Sequence, residues 1–183
     1  MKLTTRRLIL RDVELADAVN LRKYINNLNI SKNLLVVPYP YTKKDSLWWV
    51  NHCAEEQRKK PRTSYDVGIV LKGYPGVIGG AGIGHIDYGQ GTAELGYWLA
   101  EDFWRQGIMG EAVKKLISFG FDDLKLRRLI IPAFSDNAAS NGLAKKLGFH
   151  YEGKLRQAAV CKATGEIHDE NLHSLLRDEW RKR

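Results

Sequence analysis

Three strand-like runs between residues 65 and 100 constrain the fold of this chain more than any other feature. The runs are Tyr65–Leu71, Val77–Asp87 and residues 92–100, and glycine-containing segments at residues 72–76 and 89–91 separate them. Connections this short join antiparallel neighbours, because a crossover between parallel strands needs about a dozen residues. The segment therefore predicts an antiparallel meander of three strands.

Further strands and helices are predicted on both sides of the meander. Before it lie a strand over residues 6–11, a helix after Asp12, a loop enforced by Pro38 and Pro40, and a helix from Thr42 to Pro61. Thr42 and Asp45 resemble a capping box at the start of that last helix. After the meander, the sequence predicts a helix from Ile108 to about residue 122, a strand over residues 127–133, and a helix over residues 137–147 that ends at Gly148. Two long strands follow within residues 149–180, around a turn at residues 163–166. Residues 1–183 are thus expected to form one mixed α/β domain.

Composition fits a single globular domain and excludes several other classes. The chain has 183 residues, with 29 Lys and Arg against 21 Asp and Glu, and a net charge of +8. Cys53 and Cys161 are its two cysteines and form no C-x-x-C pair, so neither a disulfide scaffold nor a zinc ribbon is expected. No apolar run approaches the roughly 20 residues of a membrane helix, and a cytoplasmic protein that binds no membrane is expected. The basic charge indicates either a solvated surface or a patch that faces an anionic partner.

Two glycine-rich segments are considered and rejected as nucleotide-binding loops. Residues 148–154 begin like a P-loop, but Leu155 stands where the Ser or Thr belongs, and a strand pattern follows instead of a helix. Residues 79–84 lack the G-x-G-x-x-G spacing and lie inside a predicted strand. Glycine in a strand more often marks a bulge or the close approach of another segment.

The segment of residues 104–112 is a glycine-containing loop that leads directly into a predicted helix. Backbone N–H groups at a helix start point together, and the helix dipole adds about half a positive charge there, so such a loop suits an anion. Gly107 and Gly110 have no side chains that would hold a phosphate away from those amides. Spacing alone leaves two interpretations open: a diphosphate cradle, or a loop that uses glycine only to turn.

Six segments, in order along nearly the whole chain, form one further pattern. They are residues 5–11 (TRRLILR), 93–99 (AELGYWL), 104–112 (WRQGIMGEA), 137–140 (NAAS), 146–149 (KLGF) with 152–153 (EG), and 174–180 (SLLRDEW). Together they resemble the GNAT superfamily of acyl-CoA-dependent N-acetyltransferases, and within it the ribosomal-protein N-terminal acetyltransferases of the RimJ/RimL type. The resemblance implies a GNAT fold, in which a central, mostly antiparallel sheet splays at a parallel strand pair and is flanked by helices.

The resemblance also implies acetyl-CoA as cosubstrate, bound in the splayed sheet, and no metal. The main chain of the loop would bind its diphosphate, through Arg105, Gln106, Gly107, Ile108, Met109 and Gly110. The main chain of Tyr97 and Leu99 would pair with the pantetheine arm like an added strand. Asn137 would hydrogen-bond the pantetheine arm, and Ser140 would do so near the sulfur end of the arm. An ordinary helix N-cap is the alternative interpretation of Asn137. The chain departs from the family pattern at Trp104, which replaces a polar residue, and at Met109, which stands at a small position.

Two residues are candidates for the chemistry of transfer to an amine. Glu94 stands where many relatives carry a carboxylate and would act as a base through water; the alternative is a plain surface residue. Ser140 follows Asn137 by one helical turn on the same helix face, and its hydroxyl would donate to the departing sulfur. Many relatives use a tyrosine one turn later, where this chain has Ala144. The alternative for Ser140 is a hydroxyl that only satisfies local backbone groups.

Other reactive residues are not expected to carry the chemistry. His168 and His173 are five residues apart on a predicted strand, which places them on opposite faces and argues against a metal site. Cys161 has no evident His or carboxylate partner and is not expected to carry an acyl group. Trp48 and Trp49 would either line the acceptor cleft or belong to the core.

The expected function is transfer of an acetyl group from acetyl-CoA to a primary amine, by direct attack of the amine in a ternary complex. The leading candidate for the acceptor is the α-amine of a protein N-terminus, such as that of a ribosomal protein. Two alternatives stay open: acetylation of a small amine such as a polyamine or aminoglycoside, and a non-catalytic CoA-binding protein. No known nucleic-acid-binding motif occurs in the sequence, so direct binding of nucleic acid is not expected. The sequence leaves both a monomer and a homodimer open.

Overall fold

The computed structural model describes residues 1–182 and contains one eight-stranded sheet. The strands are β1 (Lys2–Thr4), β2 (Leu8–Asp12), β3 (Tyr65–Leu71), β4 (Val77–Asp87), β5 (Thr92–Leu99), β6 (Arg128–Phe134), β7 (His150–Val160) and β8 (Ile167–Leu176). Their order across the sheet is β1-β2-β3-β4-β5-β6-β8-β7. Neighbouring strands are antiparallel except for β5 and β6, which are parallel. The predicted meander, β3-β4-β5, is confirmed.

Six α-helices connect or follow these strands within residues 1–182. They are α1 (Ala18–Ile25), α2 (Leu28–Ser31), α3 (Lys43–Arg58), α4 (Ile108–Ser118), α5 (Ala138–Leu147) and α6 (Arg177–Arg181). The capping box predicted at Thr42 and Asp45 begins α3, and Gly148, with a φ of +83°, ends α5. None of these six helices combines the length and apolar character that a membrane span needs.

The sequence-based boundaries are wrong at both ends of the chain. The first predicted strand, residues 6–11, is found as Leu8–Asp12, and an unpredicted β1 pairs with it antiparallel. The last predicted strand reaches only Leu176, and the chain then forms α6 instead of continuing extended to Trp180. Short terminal elements carry too few apolar residues for a clear periodicity, so their limits are the least predictable.

Helices pack on both faces of the sheet. On one face, α4 buries Ile108, Ala112, Val113, Leu116 and Ile117 against apolar residues of β2 to β6 in the main core. These positions follow the spacing of one helix stripe, as a core-facing helix requires. On the other face, a smaller core contains residues of α1, α3 and β4, namely Leu21, Val50, Cys53 and Val77. The sheet therefore has an α4 face and an opposite face covered by α1 and α3.

β5 and β6 separate after a short stretch of pairing. They pair only at Thr92–Arg128, Ala93–Leu129 and Glu94–Ile130. Beyond these pairs, β5 follows β4 and β6 follows β8, so the two strands diverge and leave a gap between residues 95–99 and residues 131–134. We call this gap the split and the two strand segments its walls. The loop before α4 follows the β5 wall, and α5 follows the β6 wall. The predicted splay of the sheet at a parallel pair is thus confirmed.

The glycines of β4 allow a close approach, as the sequence analysis expected. A Cβ added to Gly79 would lie 2.6 Å from the Trp98 carbonyl oxygen, and one added to Gly80 would lie 2.6 Å from the Trp98 indole nitrogen. Real Cβ atoms do not come this close to other atoms, so both positions need glycine. The Trp98 ring can therefore lie against β4 and pack into the smaller core.

Candidate active site

Three side chains hold the loop between β5 and α4 in one shape. Trp104 Nε1 donates to the Leu99 carbonyl at 2.7 Å, and Gln106 Nε2 donates to the Asp102 carbonyl at 3.0 Å. Arg7 Nη1, from the start of the chain, donates to the Gln106 carbonyl at 2.9 Å. Trp104, a departure from the family pattern, thus anchors the loop to the β5 wall. Such bonds within the protein preorganise the loop for a ligand.

The loop ends in backbone conformations that expose amides at the start of α4. Arg105 and Gly107 have φ angles of +59° and +72°, in the left-handed region that strains residues other than glycine. The Glu111 N–H donates to the Gly107 carbonyl at 3.1 Å, which is the first hydrogen bond of the helix. The N–H groups of residues 108–110 therefore have no acceptor within the helix. They are free to point at a ligand beyond the helix end.

The side chains around these amides leave them unobstructed. Met109 is partly buried and packs against the main core, so its side chain does not cover its own amide. A Cβ added to Gly107 would lie 3.6 Å from Arg7 Nη2, which places a guanidinium beside the helix start. Backbone amides and a guanidinium are the donors that a diphosphate requires. The residues present therefore fit the diphosphate of acetyl-CoA.

Glu111, in the first turn of α4, ties the helix to the start of the chain. Its carboxylate accepts from Thr5 Oγ1 at 2.5 Å, from the Arg7 N–H at 2.9 Å and from Arg7 Nε at 2.6 Å. Burial by itself raises its pKa, but the hydrogen bonds from Thr5 and Arg7 and the charge of Arg7 outweigh burial and lower the pKa of Glu111 to about 2. The sequence analysis missed this contact, which joins the first and third of its six segments. A separation of 104 residues offered no local signal.

Tyr97 and Leu99 direct their main-chain groups into the split. The Ala100 N–H donates to the Ile78 carbonyl of β4 at 2.9 Å. Hydrogen-bonding direction alternates along an antiparallel strand, so the main-chain groups of Tyr97 and Leu99 point away from β4. Because the Leu99 carbonyl accepts from the Trp104 indole, the Leu99 N–H is the group that remains for a ligand. This wall suits an extended ligand that pairs as a strand does.

Asn137 and Ser140 lie at the start of α5, on the other wall. Asn137 Oδ1 accepts from the Ser140 N–H at 3.0 Å, so the N-cap interpretation of Asn137 is confirmed. Its Nδ2 group has no acceptor among residues 1–182 and is still able to donate to a ligand. The Ser140 hydroxyl lies 3.0 Å from the Tyr97 hydroxyl. Sequence reasoning assigned only the main chain of Tyr97 to the site and missed its hydroxyl.

Glu94 lies at the point where the split begins, on the face opposite α4. Its neighbours Ala93 and Leu95 are buried in the main core, and side chains alternate along a strand, so Glu94 projects to the other face. Glu94 is partly buried and has no hydrogen-bond or ion-pair partner among residues 1–182. It therefore borders the split from the side opposite to Tyr97.

A second carboxylate, Glu170 of β8, lies on the same face as Glu94. Ile130 pairs with Glu94 on one side and with Ser174 on the other, and Glu170 precedes Ser174 by four residues in unbroken register. Burial, and after it the negative charge of Glu94, raises the pKa of Glu170. Its side chain has no hydrogen-bond or ion-pair partner in the described part of the chain. Only the strand order brings Glu94 and Glu170 together, and sequence reasoning missed Glu170 for that reason.

The remaining candidates from the sequence have ordinary surroundings. His168 stacks on Phe134 with ring centroids 4.3 Å apart, and residues 1–182 contain no group of three side chains suited to a metal ion. Cys161 is buried, with Sγ 3.7 Å from the Ser31 carbonyl oxygen. Trp49 packs against the smaller core, whereas Trp48 is 63% exposed.

Comparisons with known proteins agree with this geometry. Residues 7–150 match the family model of the acetyltransferase (GNAT) domain. The chain is 35% identical to the uncharacterized N-acetyltransferase p20 of Bacillus licheniformis over 97% of both chains. It is 31% identical to the ribosomal-protein-serine acetyltransferase of Escherichia coli (strain K12), over 74% of this chain and 79% of the relative.

A solved structure extends the likeness to three dimensions. The crystal structure of the microcin C7 self-immunity acetyltransferase MccE, in complex with acetyl-CoA and AMP, superposes with a TM-score of 0.82 at 27% identity. The match covers 94% of this chain and 93% of that one. The chain therefore belongs to the GNAT superfamily and is an acetyl-CoA-dependent N-acetyltransferase that resembles the RimJ/RimL type.

Proposed function

We propose that this enzyme transfers the acetyl group of acetyl-CoA to the α-amine of a protein N-terminus, by direct attack of the amine in a ternary complex. The observation that carries the proposal is the arrangement of proton-transfer groups on opposite sides of the split. Tyr97 and Ser140 lie on the α4 face, and Glu94 and Glu170 lie on the opposite face. The likeness to the ribosomal-protein-serine acetyltransferase of E. coli supports a protein as acceptor.

In this proposal the two faces of the split divide the proton transfers. An α-amine has a pKa of about 7.7–8.0 and a lysine of about 10.4, so forming the neutral amine at pH 7 costs about 1 and about 4.6 kcal/mol respectively. A carboxylate that acts through water is a sufficient base for the α-amine. Glu94 takes the proton that the amine loses, and Ser140 gives a proton to the departing thiolate. An N–H of the β5 wall stabilises the oxygen that becomes negative during attack.

Acetyl-CoA at saturating concentration should raise the melting temperature of the protein. A ligand that binds only the folded chain stabilises it by about 2.7 kcal/mol at 100 times its Kd, which corresponds to about 5–10 °C for a domain of this size. Scanning fluorimetry checks this result. S-acetylpantetheine, which has no diphosphate, is the control and should give a smaller shift. No shift with either compound would contradict the proposed binding.

Glu94→Gln should lower kcat about 100-fold and leave the KM for acetyl-CoA unchanged, because a general base contributes to the chemical step. The same substitution should lower the pKa of Glu170, since the like charge that raises it is removed. Steady-state kinetics and carboxyl-carbon NMR titration measure the two effects. The control is Asp123→Asn, which changes an exposed acidic residue between α4 and β6. An unchanged kcat in Glu94→Gln would remove Glu94 from the mechanism.

A small cationic amine is a second candidate acceptor. It is favoured by one specific observation, the presence of two unpaired carboxylates on the face where the amine would approach. A panel of peptide N-termini and small amines, followed by release of free thiol, separates the two candidates. Higher kcat/KM for peptides supports the protein acceptor, and higher kcat/KM for a diamine supports the small amine. Absence of turnover with every amine would contradict both.

A further inference from the structure

One hydrogen bond crosses the split on the α4 face. It joins the Tyr97 hydroxyl of the β5 wall to the Ser140 hydroxyl of α5 at 3.0 Å. Tyr97 is three residues beyond Glu94, the last residue of β5 that pairs with β6. The two hydroxyls therefore meet where the strands have already separated. A thioester held between the walls has to pass this pair.

We propose that the Tyr97 side chain is a positioning residue for acetyl transfer, because its hydroxyl donates to Ser140 and leaves the Ser140 proton free for the departing sulfur. This inference rests on the proposed function, in which Ser140 is the proton donor. It assigns to the Tyr97 side chain a role separate from that of its main chain.

The direction of the hydrogen bond follows from the two hydroxyls and their surroundings. Burial raises the pKa of Tyr97 above its ordinary value of 10, so the phenol keeps its proton at neutral pH. A phenol is a stronger acid than an aliphatic alcohol and therefore the better donor of the two. The Tyr97 hydroxyl has no other hydrogen-bond partner among residues 1–182. The Ser140 N–H already donates to Asn137, so the geometry of the first turn of α5 is fixed as well.

Packing holds the Tyr97 ring in place. Tyr97 is partly buried against the main core, on the same face of β5 as Leu95 and Leu99. Ala144, one turn after Ser140, is fully buried and brings no hydroxyl to this part of α5. The phenol of Tyr97 is thus the group that orients Ser140 from the opposite wall.

The proton count of the step is balanced. As the bond between the acetyl carbon and sulfur breaks, the Ser140 Oγ–H bond breaks and an S–H bond forms. In the same step the Tyr97 O–H proton passes to Ser140 Oγ across their hydrogen bond, because the phenol is the stronger acid of the two, and Tyr97 becomes a phenolate. Water returns a proton to Tyr97 after CoA leaves, and the substrate ammonium releases two protons through Glu94 to the solvent, one before the neutral amine attacks and one after.

Tyr97→Phe tests the inference with an isosteric change. We expect kcat to fall about 10-fold, the loss of one neutral hydrogen bond in the transition state. The KM for acetyl-CoA should change less than about twofold, because the main chain of residue 97 is unaltered. Ser140→Ala should lower kcat further, about 100-fold. The double variant should be no slower than Ser140→Ala, since Tyr97 acts only through Ser140.

A matched control and four contrary outcomes make the test decisive. Tyr151→Phe removes the hydroxyl of a half-exposed tyrosine on β7 and should leave kcat unchanged. An unchanged kcat in Tyr97→Phe, or an effect that multiplies with that of Ser140→Ala, would overturn the inference. Full activity of Ser140→Ala would overturn it too, while the acetyltransferase activity itself stands. Absence of turnover by the wild type with every amine would instead reject the proposed function, and this inference with it.

Discussion

Gly107→Val should abolish acetyl-CoA binding, with a Kd increased at least about 100-fold. Gly107 has a φ of +72°, and a β-branched residue in that region is strained by about 1–2 kcal/mol. Its side chain would also project beside Arg7 at the helix start, because an added Cβ would lie 3.6 Å from the guanidinium. Each charge-assisted hydrogen bond lost to a diphosphate costs about 1.5–3 kcal/mol. Isothermal titration with acetyl-CoA measures the change.

A pair of alanine variants separates backbone strain from lost ligand contacts. Gly73 in the β3–β4 turn has a φ of +81° and would meet no atom within 4 Å of an added Cβ. Gly73→Ala and Gly107→Ala should therefore lower the melting temperature by similar amounts, since both place alanine in the left-handed region. Only Gly107→Ala should weaken acetyl-CoA binding. Equal Kd values for both variants and the wild type would contradict the diphosphate cradle.

Glu111→Ala should destabilise the protein by about 2–3 kcal/mol and weaken acetyl-CoA binding as well. It leaves the charge of Arg7 without its partner, and it removes the acceptor of Thr5 and of the Arg7 N–H. The melting temperature should fall by about 4–12 °C. Binding weakens because Arg7 no longer holds the Gln106 carbonyl in place. Glu55→Ala, which removes an exposed glutamate of α3, is the control, and equal melting temperatures for the two variants would contradict this role.

The same carboxylate makes stability depend on acid pH. The pKa of Glu111 is about 2 in the folded chain against an ordinary 4.5. A lowered pKa means that the stabilisation is complete above the ordinary value and is lost as pH falls from about 4.5 towards about 2. The melting temperature of the wild type should therefore fall more steeply over that range than that of Glu111→Gln. Parallel curves would show that Glu111 is not the group responsible.

These predictions test one proposed arrangement, in which the groups for binding and for proton transfer come from distant parts of the chain. In the proposal, Arg7 and Glu111 hold the loop that binds the diphosphate, and Glu94 and Glu170 lie where the amine reacts. In the same proposal, Tyr97 and Ser140 serve the departing thiol. Each pair joins residues from two separate parts of the chain.

Local sequence signals predicted most of the secondary structure and part of the site. Short glycine-containing turns required the antiparallel meander, and the capping box at Thr42 and Asp45 marked the start of α3. Gly107 and Gly110 at a helix start left an anion site as one of two interpretations, and the six ordered segments pointed to the family. All of these signals act over a few residues, within which turn geometry and helix capping are decided.

The tertiary structure alone decided which of these residues meet. Tyr97 and Ser140 are 43 residues apart, and Arg7 and Glu111 are 104 apart, so no local periodicity relates them. Glu170 comes near Glu94 only because β8 lies beside β6, which in turn pairs with β5 for just three residues. Strand order across a sheet depends on how the whole core packs. The sequence therefore determined the elements, whereas the packed sheet determined which side chains meet in the pairs to which the proposal assigns proton transfer.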